Sequence, residues 1–301
     1  MKIPATYPGK LQEGDTQAIA RIISVVENEV EGYEKLLADL PHNKVSVVGI
    51  TGPPGAGKST LTDALIGEMV RTGKKVAVLC VDPSSPFNMG ALLGDRIRMS
   101  EWYTNPNVFI RSLATRGSLG GLHPKIIEIT ELLKAASFDY ILVETVGVGQ
   151  SEVEIAGLAD ATIVVLVPES GDDIQVMKAG LMEIADLYVV NKSDRPGADL
   201  FIKNLQARAN VPRGKNSETI PVLKTVASQK EGIPELFKAI LHHLENAEVS
   251  EKKYQLLAQR VYHIIRDRRM KNIDMEKLVG EIKTAYEQGQ FNLYKVVAEY
   301  L

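Results

Sequence analysis

The stretch GITGPPGAGKSTLTDAL, residues 49–65, follows an apolar run and opens a helical pattern. Within it, Gly52-Pro53-Pro54-Gly55-Ala56-Gly57-Lys58-Ser59 fits GxxxxGK[ST], with Thr60 next. Between a strand and a helix, such glycines let successive backbone N–H groups curl around a phosphate. The helix N-terminus adds a partial positive charge. Lys58 is then placed to bridge the β- and γ-phosphates, and Ser59 to ligate Mg²⁺. The stretch predicts a nucleotide cradle over residues 52–60, set at the carboxyl edge of a parallel sheet.

The surrounding sequence agrees. Short β-branched runs alternate with helical segments: KVSVVGI (44–50), KKVAVLCVD (74–82), NVFIRSLA (107–114), DYILVETVG (139–147), ATIVVLVPE (161–169), LYVVNKSD (187–194) and IPVLKTVAS (220–228). Nearly continuous apolar runs are what strands buried on both faces of a parallel sheet look like. The expectation is an α/β, doubly wound, mostly parallel sheet over residues 42–247, with helical N- and C-terminal extensions. Residues 1–41 form the first extension, in which Ala18, Ile19, Ile22, Ile23 and Val26 recur at helical spacing. Residues 248–301 form the second, with Leu256, Leu257, Val261, Ile264 and Ile265 striping one helix and Leu278, Ile282 and Tyr286 another. A helical arm with such stripes has to pack on its own domain or on a second subunit.

Composition narrows the class. Of 301 residues, 45% are hydrophobic and 24% charged, with 35 Lys and Arg against 38 Asp and Glu, a formal net charge of −3. That balance suits a globular core and leaves no basic footprint for nucleic acid or a membrane surface. The one cysteine, Cys80, lies inside an apolar run, so no disulfide framework is expected, and a reducing, cytoplasmic setting follows. The N-terminus lacks the apolar core of a secretion signal, and no run approaches membrane-spanning length. The five histidines never fall into metal-ligand spacing with Cys80.

Four further motifs sit at predicted strand ends. NKSD, residues 191–194, is the Asn-Lys-x-Asp pattern that reads guanine, with Asn191, Lys192 and Asp194 at the base. The Asp194 carboxylate can accept from guanine N1–H and N2–H₂, whereas adenine would leave it unmatched. KTVAS, 224–228, ends the next strand and offers the Ala227 backbone amide to the guanine oxygen. In YILVETVGVGQSE, 140–152, Glu144 and Gly147 have the form of the magnesium-side DxxG motif with glutamate for aspartate. Glu144 would hold Mg²⁺ directly or through water, and the Gly147 N–H would sense the γ-phosphate. VDPSSPFNMGALLGDRIRM, 81–99, places Asp82 at a strand end and Asp95 ahead of an apparent helix with Arg98. Both carboxylates are candidate magnesium ligands or water-positioning groups. Lys58, Asp82, Asp95 and Glu144 thus make up the expected catalytic set.

These motifs, together with GDTQAIARIISVVEN, FIRSLATRGSLGG and PESGDDIQVMKAG, resemble the methylmalonyl-CoA mutase-associated GTPases, the MeaB family of the SIMIBI class. Bacterial members of that family long carried a transport-kinase label. The resemblance covers nearly the whole chain. It implies a homodimeric GTPase, with GTP/GDP and Mg²⁺ as cofactors, that serves an adenosylcobalamin-dependent acyl-CoA mutase by gating cofactor loading and protecting or reactivating it. It also implies that Ser59, Asp82, Asp95 and Glu144 form the magnesium environment. GDDIQVMKAG would then be a switch, with Asp172, Gln175 and Lys178 on one helical face and Arg98 as counter-charge. Two other readings stay open at this point. A kinase would draft Asp82 or Asp95 as base, and a metal-insertion GTPase of the same class would need Cys and His ligands near its switches.

Overall fold

The computed structural model describes residues 4, 6–41, 43–82, 99–115, 122–147, 151–168, 181–209, 219–246, 251–270 and 272–300. They fall into two units, Met1–Glu248 and Val249–Leu301.

The first unit is built on seven strands: β1 (Ser46–Thr51), β2 (Val76–Asp82), β3 (Val108–Ala114), β4 (Tyr140–Glu144), β5 (Ala161–Leu166), β6 (Leu187–Val190) and β7 (Val222–Lys224). They form one sheet in the order β3-β2-β4-β1-β5-β6-β7, and every pairing is parallel. The strands are shorter than the apolar runs suggest. Asn191 to Asp194 and Thr225 to Ser228 lie beyond β6 and β7: the Asn191 and Thr225 N–H groups still bond the Leu166 and Val190 carbonyls of neighbouring strands, while Ser193 and the Asn191 side chain bond the 225–227 loop.

Successive residues of each strand point to opposite faces, and both faces are covered. Among the described residues, helices α1 (Tyr7–Gln12), α2 (Thr16–Glu27) and α3 (Tyr33–Ala38) precede β1, and α4 (Lys58–Arg71) follows it. On one side Val48, Ile50, Val76, Val78 and Cys80 pack with α4 and the Ile233–Asn246 helix. On the other, Val47, Ala77, Leu79 and Val81 join helix α2 (Thr16–Glu27), the Ile126–Lys134 helix and the Ala198–Ala209 helix in one core. Ile19, Ile22, Ile23 and Val26 of the predicted stripe lie in that core, and Ala18 and Val25 are buried beside them. The Asp15 carboxylate starts this helix by accepting from the N–H groups of Gln17 and Ala18 at 2.9 and 3.0 Å. Arg111 of β3 bonds Glu27 at the other end of α2.

Register at the amino edge is fixed by a device repeated three times. Asp160 donates its N–H to the Val47 carbonyl at 2.7 Å, and its Oδ2 accepts the Val47 N–H at 2.8 Å. Asp186 makes the same pair with Thr162, and Asp139 with Lys75. Each aspartate precedes its own strand and caps the start of a neighbouring one. Edge donors that would face solvent are thereby paired.

Chain direction changes about β1. The chain leaves β1 for β2 and β3 on one side and returns through β4, which pairs with β1. It then crosses to β5 on the far side of β1. The crevice outside the carboxyl end of β1 is the switch point where doubly wound sheets hold ligands. Residues 52–57 leave the carboxyl end of β1 at that point.

The second unit consists of helices Glu251–Arg269, Met275–Glu287 and Leu293–Ala298. Asp274 and Asn292 cap the last two through side-chain bonds to backbone N–H groups. Tyr286 and Phe291 stack at 4.3 Å, and the Tyr300 hydroxyl donates to Glu281 at 2.5 Å. Tyr254, Val261, Tyr262, Val279, Tyr286 and Tyr294 are exposed, Tyr294 by 81%. Among the described residues no helix is long and apolar enough to cross a membrane.

Candidate functional site

Residues 52–57 turn out of β1 and feed directly into α4, whose first residue is Lys58. Gly57 caps that helix at φ +88°, where a Cβ would fall onto Asn191 Nδ2. Only glycine can take this backbone and let the asparagine approach. Lys58 is 7% exposed, and its Nζ donates to the carbonyls of Gly52 at 2.9 Å and Pro53 at 3.1 Å. The ammonium is thus held over the loop, not extended into solvent.

Glu144, the last residue of β4, is buried and reaches back to the same helix. Its Oε1 accepts from Ser59 Oγ at 2.6 Å, and its Oε2 lies 2.9 Å from Thr62 Oγ1. Thr62 Oγ1 also stands 3.0 Å from the Lys58 carbonyl, so its single hydrogen serves one acceptor at a time. Beyond Glu144, Thr145 is tied to β1 twice, by its N–H to the Ile50 carbonyl and by its hydroxyl to Thr51 at 2.9 Å. Gly147 follows at φ +86°, packed so closely that a Cβ would strike Lys58 Nζ and the Gly52 carbonyl oxygen. The Glu144–Gly147 stretch and the Lys58 loop therefore form one assembly.

Asp82 closes β2 and is 5% exposed. Cys80 pairs in register with Glu144, and Asp82 lies two residues further along the same face of the sheet. Ser59, Asp82 and Glu144 offer hard oxygen donors, the chemistry that suits Mg²⁺. Among the described residues no three His, Cys, Asp or Glu side chains converge as a dedicated metal cage. Magnesium at phosphate sites is commonly held by one or two protein oxygens together with substrate phosphates, and this donor set fits that mode. Cys80 is buried within β2.

Asn191 stands just past β6 and is buried. Nδ2 donates to the Ala56 carbonyl at 2.9 Å, while Oδ1 accepts the Ala227 N–H at 3.1 Å and the Thr225 hydroxyl at 3.2 Å. Lys192 takes φ +55°, a region that side chains seldom occupy. From there its Nζ donates to the Gly55 carbonyl at 2.8 Å. Ser193 bonds the Thr225 carbonyl through both its N–H and its hydroxyl. Asp194, next in the turn, is exposed beside these loops.

The structure brings Lys58, Ser59, Glu144 and Gly147 together on one side of the 52–57 loop, and Asn191, Lys192 and Ala227 on the other. Asp95, Arg98, Asp172, Gln175 and Lys178 lie outside the described residues. Two participants carry no motif signature. Thr62 reaches Glu144 because it sits one turn beyond Ser59 on the same helical face. Thr225 reaches Asn191 across adjacent parallel strands.

Comparison with known proteins places this geometry. The family described as methylmalonyl Co-A mutase-associated GTPase MeaB matches residues 19–285. A Pyrococcus abyssi protein named as a GTPase is 44% identical over 94% of this chain and 87% of its own length. GTPase ArgK of Escherichia coli is 38% identical over 77% of this chain and 73% of its own. A fused isobutyryl-CoA mutase of Geobacillus kaustophilus is 38% identical over 235 residues, which are 73% of this chain and 22% of that protein. Among solved structures, one described as a LAO/AO transport system kinase superposes with a TM-score of 0.70 at 27% identity, covering 100% of this chain and 98% of the other. A phosphate loop with its lysine held at the switch point, joined to such relatives over nearly its whole length, makes this chain a member of the MeaB family of P-loop GTPases, whose reaction is hydrolysis of GTP to GDP and phosphate.

Proposed function

We propose that GTP hydrolysis at the carboxyl edge of the sheet drives a chaperone cycle on an adenosylcobalamin-dependent acyl-CoA mutase, most simply methylmalonyl-CoA mutase. One observation carries this reading. A relative named as a fused isobutyryl-CoA mutase contains, within one chain, a stretch 38% identical to 73% of this protein. Fusion of a GTPase unit to a mutase fits a partnership between separate chains, and the family description names mutase association in the same terms.

At the nucleotide, residues 52–60 cradle the phosphates through backbone N–H groups, and Lys58 leaves the Gly52 and Pro53 carbonyls to bridge the β- and γ-oxygens. Ser59, Glu144 and Asp82 would hold Mg²⁺, with Asp95 completing the set. Bound there, the metal would neutralise charge developing on the transferred phosphoryl group. Gly147 presents its N–H to the γ-phosphate, next to the lysine it already packs against. On the base side, Asp194 accepts from guanine while Asn191 braces the two loops. Ala227 offers its N–H to the guanine oxygen through a hydrogen shared with Asn191 Oδ1. A switch over GDDIQVMKAG, with Asp172, Gln175, Lys178 and Arg98, passes nucleotide state to the mutase by exchanging ionic partners.

The protein acts as a homodimer through residues 248–301, whose exposed Tyr254, Val261, Tyr262 and Ile265 recur at helical spacing. The test is phosphate release from GTP with and without a purified mutase. Stimulation by the mutase, lost in Lys178→Ala and Gln175→Ala while basal hydrolysis stays within a few-fold, is the expected result. Equal rates with and without mutase, and no co-elution in any nucleotide state, would refute the partnership.

A further inference from the structure

Helix α4 is tethered by two adjacent residues that point to different neighbours. Thr62 reaches the Glu144 carboxylate at the end of β4, and Asp63 Oδ1 accepts the indole Nε1–H of Trp102 at 2.7 Å. In the sheet, β4 and β3 are the two strands that flank β2. Trp102 ends a short turn, Ser100–Trp102, on the way into β3. The two tethers therefore straddle β2, the strand that ends in Asp82.

The indole is seated as well as bonded. Its ring lies against α4 at Gly67, where a Cβ would meet ring atoms Cζ2 and Cη2 at 3.5 and 3.6 Å. Any side chain longer than a methyl at Gly67 would lift the ring off the helix. Met99, fully buried in the α4-side core, anchors the same turn, and the Trp102 N–H bonds its carbonyl at 3.1 Å. These contacts hold α4 at the turn that follows Lys58 and Ser59.

We infer that Asp63 and Trp102 form a positioning pair for the GTPase reaction: by fixing the rotation of α4 about its axis, they set the approach of Ser59 to Glu144 on the magnesium side of the site. The inference rests on the nucleotide-site reading above. The physical reason is geometric. Ser59 Oγ and Glu144 Oε1 stand 2.6 Å apart, and Ser59 and Asp63 are one helical turn apart on α4. A small roll of the helix that leaves its apolar face buried would move Ser59 away from Glu144. Positional errors well under 1 Å suffice to weaken a metal site or a reacting geometry.

The chain holds one tryptophan, so its emission reports this contact directly. The experiment titrates Mg²⁺ into the GDP-bound protein, followed by Trp102 emission and by calorimetry, alongside GTP hydrolysis and thermal midpoints. Asp63→Ala removes the acceptor. Trp102→Phe removes the donor but keeps a ring against Gly67 and is read by calorimetry. Asp63→Asn keeps an oxygen acceptor. The expected result is a Mg²⁺ half-saturation raised about fivefold or more in Asp63→Ala and Trp102→Phe, on the scale of one lost hydrogen bond. Asp63→Asn should stay close to the parent, and metal-free GDP affinity should change little in all three. Lowered thermal midpoints with unchanged Mg²⁺ half-saturation in both disrupting variants would reduce the pair to packing and overturn the inference. If instead the parent's GDP affinity ignores Mg²⁺, or Lys58→Ala hydrolyses GTP normally, it is the nucleotide-site reading that fails.

Discussion

Asn191 and Ala227 are joined by a bond that welds two loops: Asn191 Oδ1 accepts the Ala227 N–H at 3.1 Å while its Nδ2 holds the Ala56 carbonyl at 2.9 Å. An asparagine amide offers two donors and an oxygen with two lone pairs. Here both lone pairs and one donor are engaged, counting the Thr225 hydroxyl at 3.2 Å. The side chain therefore acts first as a brace between the phosphate loop and the base-side loops. Its remaining N–H is the one left for a ligand.

Removing the brace is expected to damage both stability and binding. Asn191→Ala strands a carbonyl, an N–H and a hydroxyl in a buried place, at about 1–3 kcal/mol for each group that finds no water. The thermal midpoint should fall by on the order of 5–10 °C by calorimetry, and GTP affinity should drop at least about tenfold. Asn191→Asp keeps the acceptor and loses the donor to Ala56, so it should fall between. A midpoint within a degree of the parent for Asn191→Ala would show that the bonds are replaced by solvent.

Asp194 tests the choice of base. The residue is exposed in the described chain, next to Ser193, which is tied to Thr225 by two bonds. Exchange to Asn turns an acceptor into a donor where guanine carries N2–H₂ and xanthine a carbonyl. Asp194→Asn should therefore favour xanthosine triphosphate over GTP, measured by competition binding. ATP bound as tightly as GTP by the parent would defeat the assignment.

Lys58→Ala deletes a charge that the loop carbonyls of Gly52 and Pro53 already orient. Ionic hydrogen bonds contribute about 1.5–3 kcal/mol each, and the lysine's place in a phosphoryl-transfer site is electrostatic. Steady-state phosphate release is expected to be nearly abolished with the far-ultraviolet spectrum unchanged. Turnover at the parent rate would exclude this loop as the site.

The parts legible in the sequence are those whose cause is local. The glycines and Lys58 announce a cradle because backbone freedom and charge must sit at fixed spacing. The strands appear because burial on both faces demands unbroken apolar runs, as in VAVLCVD, which is β2 throughout. Long-range partners leave no such trace. Asp160 looks like any turn residue, yet it holds Val47, 113 positions away. Trp102 and Asp63 are 39 apart and carry no motif. The order β3-β2-β4-β1-β5-β6-β7 likewise depends on which crossover returns beside β1, which periodicity does not encode.

The start of α2 gives a pH-dependent prediction. The Asp15 carboxyl is held below its ordinary value first by the Ala18 N–H; desolvation, next in size, opposes this, and the Gln17 N–H and the charges of Lys10 and Arg21 add to the lowering. A carboxyl whose folded value is depressed adds stability above its unfolded value, and that contribution is lost as pH falls through the folded one. Asp15→Ala should lower the thermal midpoint at neutral pH. The gap to the parent should close as pH is taken below the ordinary carboxylate range. A gap constant with pH would mean that the cap acts only through its shape.

The exposed apolar face of the second unit sets the last prediction. Tyr254, Leu257, Val261 and Ile265 recur at helical spacing on Glu251–Arg269 and are exposed, as are Val279 and Tyr286 on the helix that follows. Apolar surface of this kind tends to be covered in solution, and a second copy of the same chain would cover it with closed symmetry, as proposed above. Lys58, Glu144, Asn191 and Asp194 all belong to the unit Met1–Glu248. Deleting residues 250–301 is therefore expected to give a monomer by light scattering that binds GTP with affinity within about threefold of the parent. Charged exchanges at Val261 and Ile265 in the full chain should dissociate the dimer in the same way, without removing any backbone. A truncated chain that still runs as a dimer would place the interface on the nucleotide-binding unit, and a monomeric parent would remove the dimer altogether.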